Sequence, residues 1–134
     1  MKKKNIILII PIIFFGIIMS CTDNDDREDE CITNKTEYIT SVNSPKTGIV
    51  NETINIEVNF GVSNGCGGFG KFIETQNGNN KTIEVEAKYE GCICTQDAPI
   101  RTVNYEFIAN SVGDYELNFK SSSTEFITVN LTIN

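Results

Sequence analysis

The stretch INIEVNFGV, residues 54–62, alternates apolar side chains with polar residues or glycine. Its apolar members are Ile54, Ile56, Val58, Phe60 and Val62. Because successive side chains of a strand point to opposite faces, this period of two predicts a β-strand with one buried and one solvated face. The recurrence of this pattern decides the fold of the remaining chain.

The same alternation returns four times toward the C-terminus, over residues 83–89, 103–107, 115–119 and 127–133. A first strand over residues 37–42 and a less regular one over residues 69–75 bring the predicted number to seven. Clusters of Asn, Gly, Pro and Ser, which favour turns, separate these strands. Seven short antiparallel strands in about 100 residues predict an all-β fold built as a two-sheet sandwich.

The sequence Gly113-Asp114-Tyr115 leads into the sixth predicted strand and resembles the tyrosine corner of immunoglobulin-like domains. The resemblance implies an immunoglobulin-like order of seven strands, A to G; a generic hairpin with a buried Tyr115 is the alternative. Antibody-type features are missing, because the chain has no Trp and places Phe60 and Leu117 where such domains carry cysteines. Fold analogy of this kind transfers no activity.

The N-terminus has the pattern of a signal peptide. Three lysines precede the 14 residues 6–19, which are mainly apolar and fewer than the ~20 that a membrane-spanning helix requires. The following Ile18-Met19-Ser20-Cys21 is similar to the lipobox of bacterial lipoproteins, in which signal peptidase II cleaves before a lipidated cysteine. The resemblance implies diacylglycerol and palmitate chains on Cys21. An ordinary secretory signal and an uncleaved anchor are the alternatives.

Residues 22–30 contain six acidic residues and one arginine, which favours a solvated, extended linker. Such a run directly after the lipobox cysteine also resembles the export signal of Bacteroidota lipoproteins. That resemblance implies attachment to the outer membrane, with exposure at the cell surface. We therefore divide the chain into a lipoprotein signal peptide (1–20), an acidic tether (21–30) and a β-sandwich domain (31–134).

Lipidation of Cys21 leaves four of the five cysteines, namely Cys31, Cys66, Cys92 and Cys94. In the immunoglobulin-like order they fall before strand A, in the B–C loop and in the D–E loop, which share one pole. In an oxidising compartment such thiols form disulfides. Because one residue separates Cys92 from Cys94, each is expected to pair with Cys31 or Cys66, and both combinations remain open. Zinc binding is the alternative, although structural zinc sites prefer Cys-x₂₋₄-Cys pairs.

Composition argues against several classes of function. The chain has no His, which removes Ser-His, Cys-His and His-metal chemistry, and we expect no enzyme, no metal and no cofactor. Its net charge of -7 disfavours nucleic acid as a partner.

The glycine-rich residues 65–70 enter a predicted strand rather than a helix, which disfavours phosphate binding. We expect both Phe69 and Phe72 to be buried. Because they differ in parity along that strand, the alternative is that they lie on opposite faces, with one ring exposed beside the loop. We take these two residues as candidate binding residues.

The sequence thus indicates a lipid-anchored, non-catalytic envelope module that binds an unidentified protein or glycan, or that supports an envelope complex. An envelope enzyme, or a protease inhibitor that uses the cysteine-braced loop 92–100, is the alternative.

Overall fold

A computed structural model describes residues 31–134, which form β-strands in two packed sheets. The strands are β1 (Ile32–Glu37), β2 (Ile39–Asn43), β3 (Thr47–Gly48), β4 (Thr53–Gly61), β5 (Gly67–Asn77), β6 (Asn80–Glu90), β7 (Ile100–Ile108), β8 (Gly113–Lys120) and β9 (Phe126–Ile133). The predicted all-β sandwich is confirmed, with nine strands instead of seven. The predicted signal peptide, the acidic tether and Cys21 lie outside the described residues.

The larger sheet has the order β1-β6-β8-β9-β3, with β5 on the other side of β6, and the smaller sheet has the order β2-β4-β7. Two strands share one edge of β6: β1 runs antiparallel to residues 85–90, and β8 runs parallel to residues 80–83. A second short parallel ladder joins β3 to β9. The sandwich is therefore antiparallel except at these two ladders. Within residues 31–134 we find no helix that is long and apolar enough to cross a membrane.

The fourth predicted strand, β6, lies in the sheet of β5, β8 and β9, whereas the immunoglobulin order places it beside β7. A two-residue turn at Gly78 and Asn79 joins β5 to β6, and Asn77 pairs directly with Asn80. Gly78 has a φ of 62°, a left-handed value that glycine adopts without strain. So short a turn makes a hairpin and keeps both strands in one sheet.

The core consists mainly of the apolar faces that the alternation predicted, although Val103, Ile127 and Val129 of those faces are only partly buried. Its buried members are Ile39, Ile54, Ile56, Val58, Phe60, Val62, Ile83, Val85, Ala87, Tyr89, Tyr105, Phe107, Ala109, Tyr115, Leu117, Phe119, Leu131 and Ile133. The Tyr115 hydroxyl donates a hydrogen bond to the carbonyl oxygen of Ser111, four residues upstream, at 3.0 Å. This is the geometry of a tyrosine corner, as the sequence predicted.

Candidate functional site

Three chain segments meet at one end of the sandwich: the start of β1, the β4–β5 loop (62–66) and the β6–β7 loop (91–99). We call this end the cysteine pole. Backbone hydrogen bonds join the segments, since Gly91 N donates to Cys31 O at 2.9 Å and Gly65 N donates to Thr95 O at 3.0 Å. The pole is therefore a bonded assembly rather than a set of separate loops.

Two disulfides cross the cysteine pole. Cys31 pairs with Cys92 at a Cα–Cα distance of 5.0 Å, and Cys66 pairs with Cys94 at 5.4 Å. The sequence left two sets of disulfide pairs open, and in both sets Cys92 and Cys94 are bonded to different segments. The structure has the set Cys31–Cys92 and Cys66–Cys94. The four cysteines lie at a single pole, as predicted.

Ile93 stands between the two cysteines that are bonded to different segments. Its side chain is 96% exposed, the highest exposure among the large apolar side chains of the described domain. The turn beneath it is tightly packed: Gly91 has a φ of 133°, and a Cβ on Gly91 would lie 3.0 Å from Cys66 Sγ. A rigid base therefore holds an aliphatic side chain in water. Sequence reasoning identified the loop but not this residue, whose only signal is an isoleucine outside any alternation.

A polar cleft lies beside this loop. Its volume is about 420 Å³, and its lining residues are Cys31, Thr33, Lys35, Ser63, Asn64, Tyr89, Gly91, Cys92, Cys94 and Gln96. The Tyr89 hydroxyl accepts hydrogen bonds from Ser63 N at 2.8 Å and Ser63 Oγ at 3.0 Å, and it donates to the carboxylate of Glu37. Glu37 also forms an ion pair with Lys35 at 3.2 Å. These groups bond to one another, so they form an internally hydrogen-bonded polar wall of the cleft.

Arg101 of β7 fastens the glycine-rich loop. Its Nε donates to Gly67 O at 2.9 Å, and its Nη2 donates to Gly65 O at 3.0 Å. Close packing requires a glycine at position 67, because a Cβ on Gly67 would lie 2.7 Å from the Tyr89 ring and 2.6 Å from Val62 Cβ. The architecture of the pole thus explains this glycine of the motif. Sequence reasoning did not identify Arg101.

The candidate binding residues Phe69 and Phe72 lie in strand β5, as predicted. The register of β5 against β6 shifts between Phe69 and Lys71, which marks a β-bulge at Gly70. The extra residue turns both rings to the same face, and their centroids are 4.7 Å apart. The two rings therefore do not lie on opposite faces, and the expected burial of both rings is wrong for Phe69. Phe72 is partly buried against Tyr105, and the Phe69 side chain remains 40% exposed.

One tyrosine in the core has an unusual hydroxyl group. Tyr105 is buried, and its hydroxyl has no hydrogen-bond partner in the described part of the chain. Burial raises the pKa of Tyr105 well above its ordinary value, and the nearby Glu74 carboxylate raises it further, both as a hydrogen-bond acceptor that favours the protonated hydroxyl and through its negative charge. The contact between the two groups falls outside ordinary hydrogen-bond geometry. Among residues 31–134, no three His, Cys, Asp or Glu side chains come together as a group that could hold a metal ion.

Comparison with protein families gives one match. A family model described as an ORF11 beta-sandwich domain matches residues 56–129, which is more than half of the chain. The matched segment runs from β4 into β9 and includes Cys66, Cys92 and Cys94. No curated protein matches the chain. No solved structure matches it either.

Proposed function

We propose that the chain, which belongs to the ORF11 beta-sandwich domain family, is a non-catalytic binding module that recognises a protein through its cysteine pole. The observation that carries this proposal is the 96% exposure of Ile93 between two disulfide-bonded cysteines. A branched aliphatic side chain suits an apolar pocket on a protein. A glycan would instead require an aromatic platform or a converging set of polar groups.

The energetics of such a contact are favourable. Full burial of an Ile side chain contributes about 1.5–3 kcal/mol. Binding usually loses part of this gain when a flexible loop becomes ordered, but both neighbours of Ile93 are already cross-linked. The polar cleft beside the loop supplies a hydrogen-bonding rim around the apolar contact. An exposed apolar residue beside a polar cleft is typical of protein–protein interfaces, which have an apolar centre and a polar rim.

The recognition proposal is tested with a photo-crosslinking amino acid placed at position 93 of the full chain. The matched control is position 112, because Val112 is an apolar residue that is 65% exposed in the β7–β8 connection at the opposite pole. We expect a discrete protein adduct from position 93 and none from position 112. With the adduct partner purified, Ile93→Ser should weaken binding about 10- to 100-fold, and Val112→Ser should leave it unchanged. Equal crosslinking at both positions, or an unchanged affinity of Ile93→Ser, contradicts the proposal.

We further propose that the module is attached to the outer membrane through lipid on Cys21. The lipobox-like residues 18–21 support this, and so does the pair of disulfides, which suits an oxidising compartment. Two or three acyl chains give stable anchoring where one is marginal. We expect the wild-type chain to incorporate labelled palmitate and to fractionate with membranes, and Cys21→Ala to do neither. Membrane association of Cys21→Ala without label would identify an uncleaved anchor instead.

A protease inhibitor is the second candidate, because a disulfide-braced loop with one exposed side chain also suits the specificity pocket of a protease. An inhibitor of this kind would block a serine protease that prefers aliphatic residues, and Ile93→Lys would redirect it toward a trypsin-like protease. Rapid cleavage of the loop, or no inhibition by either form, excludes this candidate.

A further inference from the structure

We propose that two copies of this chain associate through the free edges of their β7 strands, which joins two three-stranded sheets into one six-stranded sheet. In the described sandwich β7 pairs with β4 alone. The β4–β7 ladder runs from Thr53–Ile108 to Gly61–Ile100 without a register shift. The opposite edge of β7 is therefore a long and regular row of backbone groups.

The hydrogen bonds at the two ends of β7 show which residues direct their backbone groups outward. The carbonyl of Pro99 accepts a bond from Val62 N at 3.1 Å, and the carbonyl of Ala109 accepts one from Asn51 N at 2.8 Å. Backbone groups alternate between the two edges of a strand, so the odd-numbered residues face β4. The even-numbered residues from Ile100 to Ile108 then offer their N–H and C=O groups to a further strand.

Other outer strands of the sandwich carry features that hinder such pairing. Register shifts interrupt β2 and β5, β3 has two residues, and Lys35 lies on the short strand β1. Strand β7 contains no proline or lysine, and its one cation, Arg101, points inward to bond the β4–β5 loop. Proteins usually protect their edge strands with bulges, prolines, charges or very short length. Strand β7 has only two charges, Arg101 and the outward Glu106, so an edge of this length remains a template for pairing.

The side chains along β7 suit a second copy in one register. If an antiparallel copy is centred on Asn104, Ile100 lies opposite Ile108 of the second copy, and Thr102 lies opposite its Glu106. The two isoleucines are 56% and 53% exposed in the single chain. All these pairs join even-numbered residues, so each pair can exchange backbone hydrogen bonds.

Neighbouring registers are less favourable. A shift by two residues in one direction places Ile100 opposite Glu106, and a shift in the other direction leaves Ile100 without an opposite residue. A shift by one residue pairs free backbone groups with groups already bonded to β4. In the register centred on Asn104, isoleucine lies opposite isoleucine, and the carboxylate of Glu106 lies opposite the hydroxyl of Thr102. In this arrangement the two cysteine poles lie at opposite ends of the dimer, and Ile93 is not covered by the second copy. Recognition through Ile93 and dimerisation through β7 can therefore be tested independently.

Cysteine crosslinking in membranes that contain the full chain tests this proposal. Asn104→Cys should form a disulfide-linked dimer under mild oxidation, because position 104 lies opposite itself. Glu57→Cys is the matched control: it pairs with Asn104 in the β4–β7 ladder, one strand further from the interface, and should give no dimer.

Two more variants determine the register. Thr102→Cys and Glu106→Cys should crosslink with each other when they are produced together, and neither should crosslink alone. Ile108→Lys in the Asn104→Cys background should reduce crosslinking to the level of the Glu57→Cys control. No dimer from Asn104→Cys, or dimers of equal yield from Glu57→Cys, overturns the proposal. Crosslinking of Thr102→Cys with itself overturns the register.

Discussion

Tyr105 and Tyr115 both lie in the core, but their hydroxyl groups have different surroundings. The Tyr115 hydroxyl bonds to Ser111 O at 3.0 Å, whereas the Tyr105 hydroxyl makes no hydrogen bond of ordinary geometry within residues 31–134, although the Glu74 carboxylate is near enough to raise its pKa. The Tyr105 ring is held by edge contacts to Phe72 and Phe119, with centroids 4.9 and 5.7 Å away. The ring therefore stabilises the fold, while burial of its hydroxyl costs free energy.

Replacing each tyrosine by phenylalanine should change stability in opposite directions. Tyr115→Phe removes a satisfied hydrogen bond and should lower the free energy of unfolding by about 1 kcal/mol. Tyr105→Phe removes an unsatisfied buried group and should raise that free energy by about 1 kcal/mol. Urea denaturation of both variants beside the wild type measures these values. A loss of stability in Tyr105→Phe would mean that the hydroxyl has an acceptor in solution, for which Glu74 is the nearest candidate.

The raised pKa of Tyr105 predicts a dependence of stability on pH. In the unfolded chain Tyr105 loses its proton near pH 10, while in the folded chain it keeps the proton because of burial and the charge of Glu74. Above pH 10 the folded state then binds more protons than the unfolded state. What Tyr105 contributes to the free energy of unfolding is therefore complete below about pH 10 and falls as the pH rises, by up to ~1.4 kcal/mol per pH unit. Wild type and Tyr105→Phe should therefore differ progressively in urea midpoint between pH 9 and 11. Parallel pH profiles would contradict this.

At the scale of single elements, the bulge in β5 shows how one glycine sets the position of two aromatic rings. A Cβ on Gly70 would lie 2.7 Å from the backbone oxygen of Glu86 in β6, whereas a Cβ on Gly68 would meet nothing within 4 Å. The backbone of Glu86 is paired with β1 on one side and with β5 on the other, so it cannot easily move. The close approach at the bulge therefore requires a residue without a side chain.

Gly70→Ala and Gly68→Ala form a matched pair that tests this requirement. We expect Gly70→Ala to destabilise the domain by about 1–3 kcal/mol, the usual cost of overpacking. Gly68→Ala should change the free energy of unfolding by less than about 0.5 kcal/mol. Thermal unfolding compares the two variants, and NMR contacts between the Phe69 and Phe72 rings report on the bulge. Equal effects of the two substitutions would show that the bulge tolerates a side chain.

The same scale shows which strands can be predicted from sequence. All seven predicted strands occur. The five found by alternation bury one face, so their apolar residues recur at every second position, whereas β5 is mostly exposed and has no such period. Strand β1 was not predicted, since ITNKTE is polar on both faces and is held by its ladder to β6. Periodicity also could not predict which sheet contains β6, because an alternating strand buries one face in either sheet. Only the length of the turn at Gly78 carries that information.

At the scale of the whole molecule, the two disulfides connect segments that are far apart in sequence. The Cys31–Cys92 bond spans 61 residues and the Cys66–Cys94 bond spans 28. Spacing alone predicted that Cys92 and Cys94 have different partners but could not choose between Cys31 and Cys66, since that depends on which segments the strands bring together. The exposure of Ile93 depends on the path of the loop between its two bonded cysteines, which the sequence pattern does not give.

The two bonds should contribute unequally to stability. Loop-closure entropy gives about 4 kcal/mol for the bond that spans 61 residues and about 3.5 kcal/mol for the bond that spans 28. Cys31→Ala/Cys92→Ala should therefore lower the urea midpoint slightly more than Cys66→Ala/Cys94→Ala, and each should lower it substantially. A double variant that unfolds at the wild-type midpoint would contradict the role of that bond.

The Cys31–Cys92 bond also determines how mechanical load passes through the molecule. Cys31 follows the proposed tether directly, and Cys92 is the residue before the proposed anchor Ile93. Traction between a membrane and a partner held at Ile93 would thus run through one disulfide and one peptide bond, and no strand of either sheet would bear it. Without that bond the same traction would pull on β1 and peel it from β6. The Cys31–Cys92 bond would therefore let the sandwich stay folded under such a pulling force.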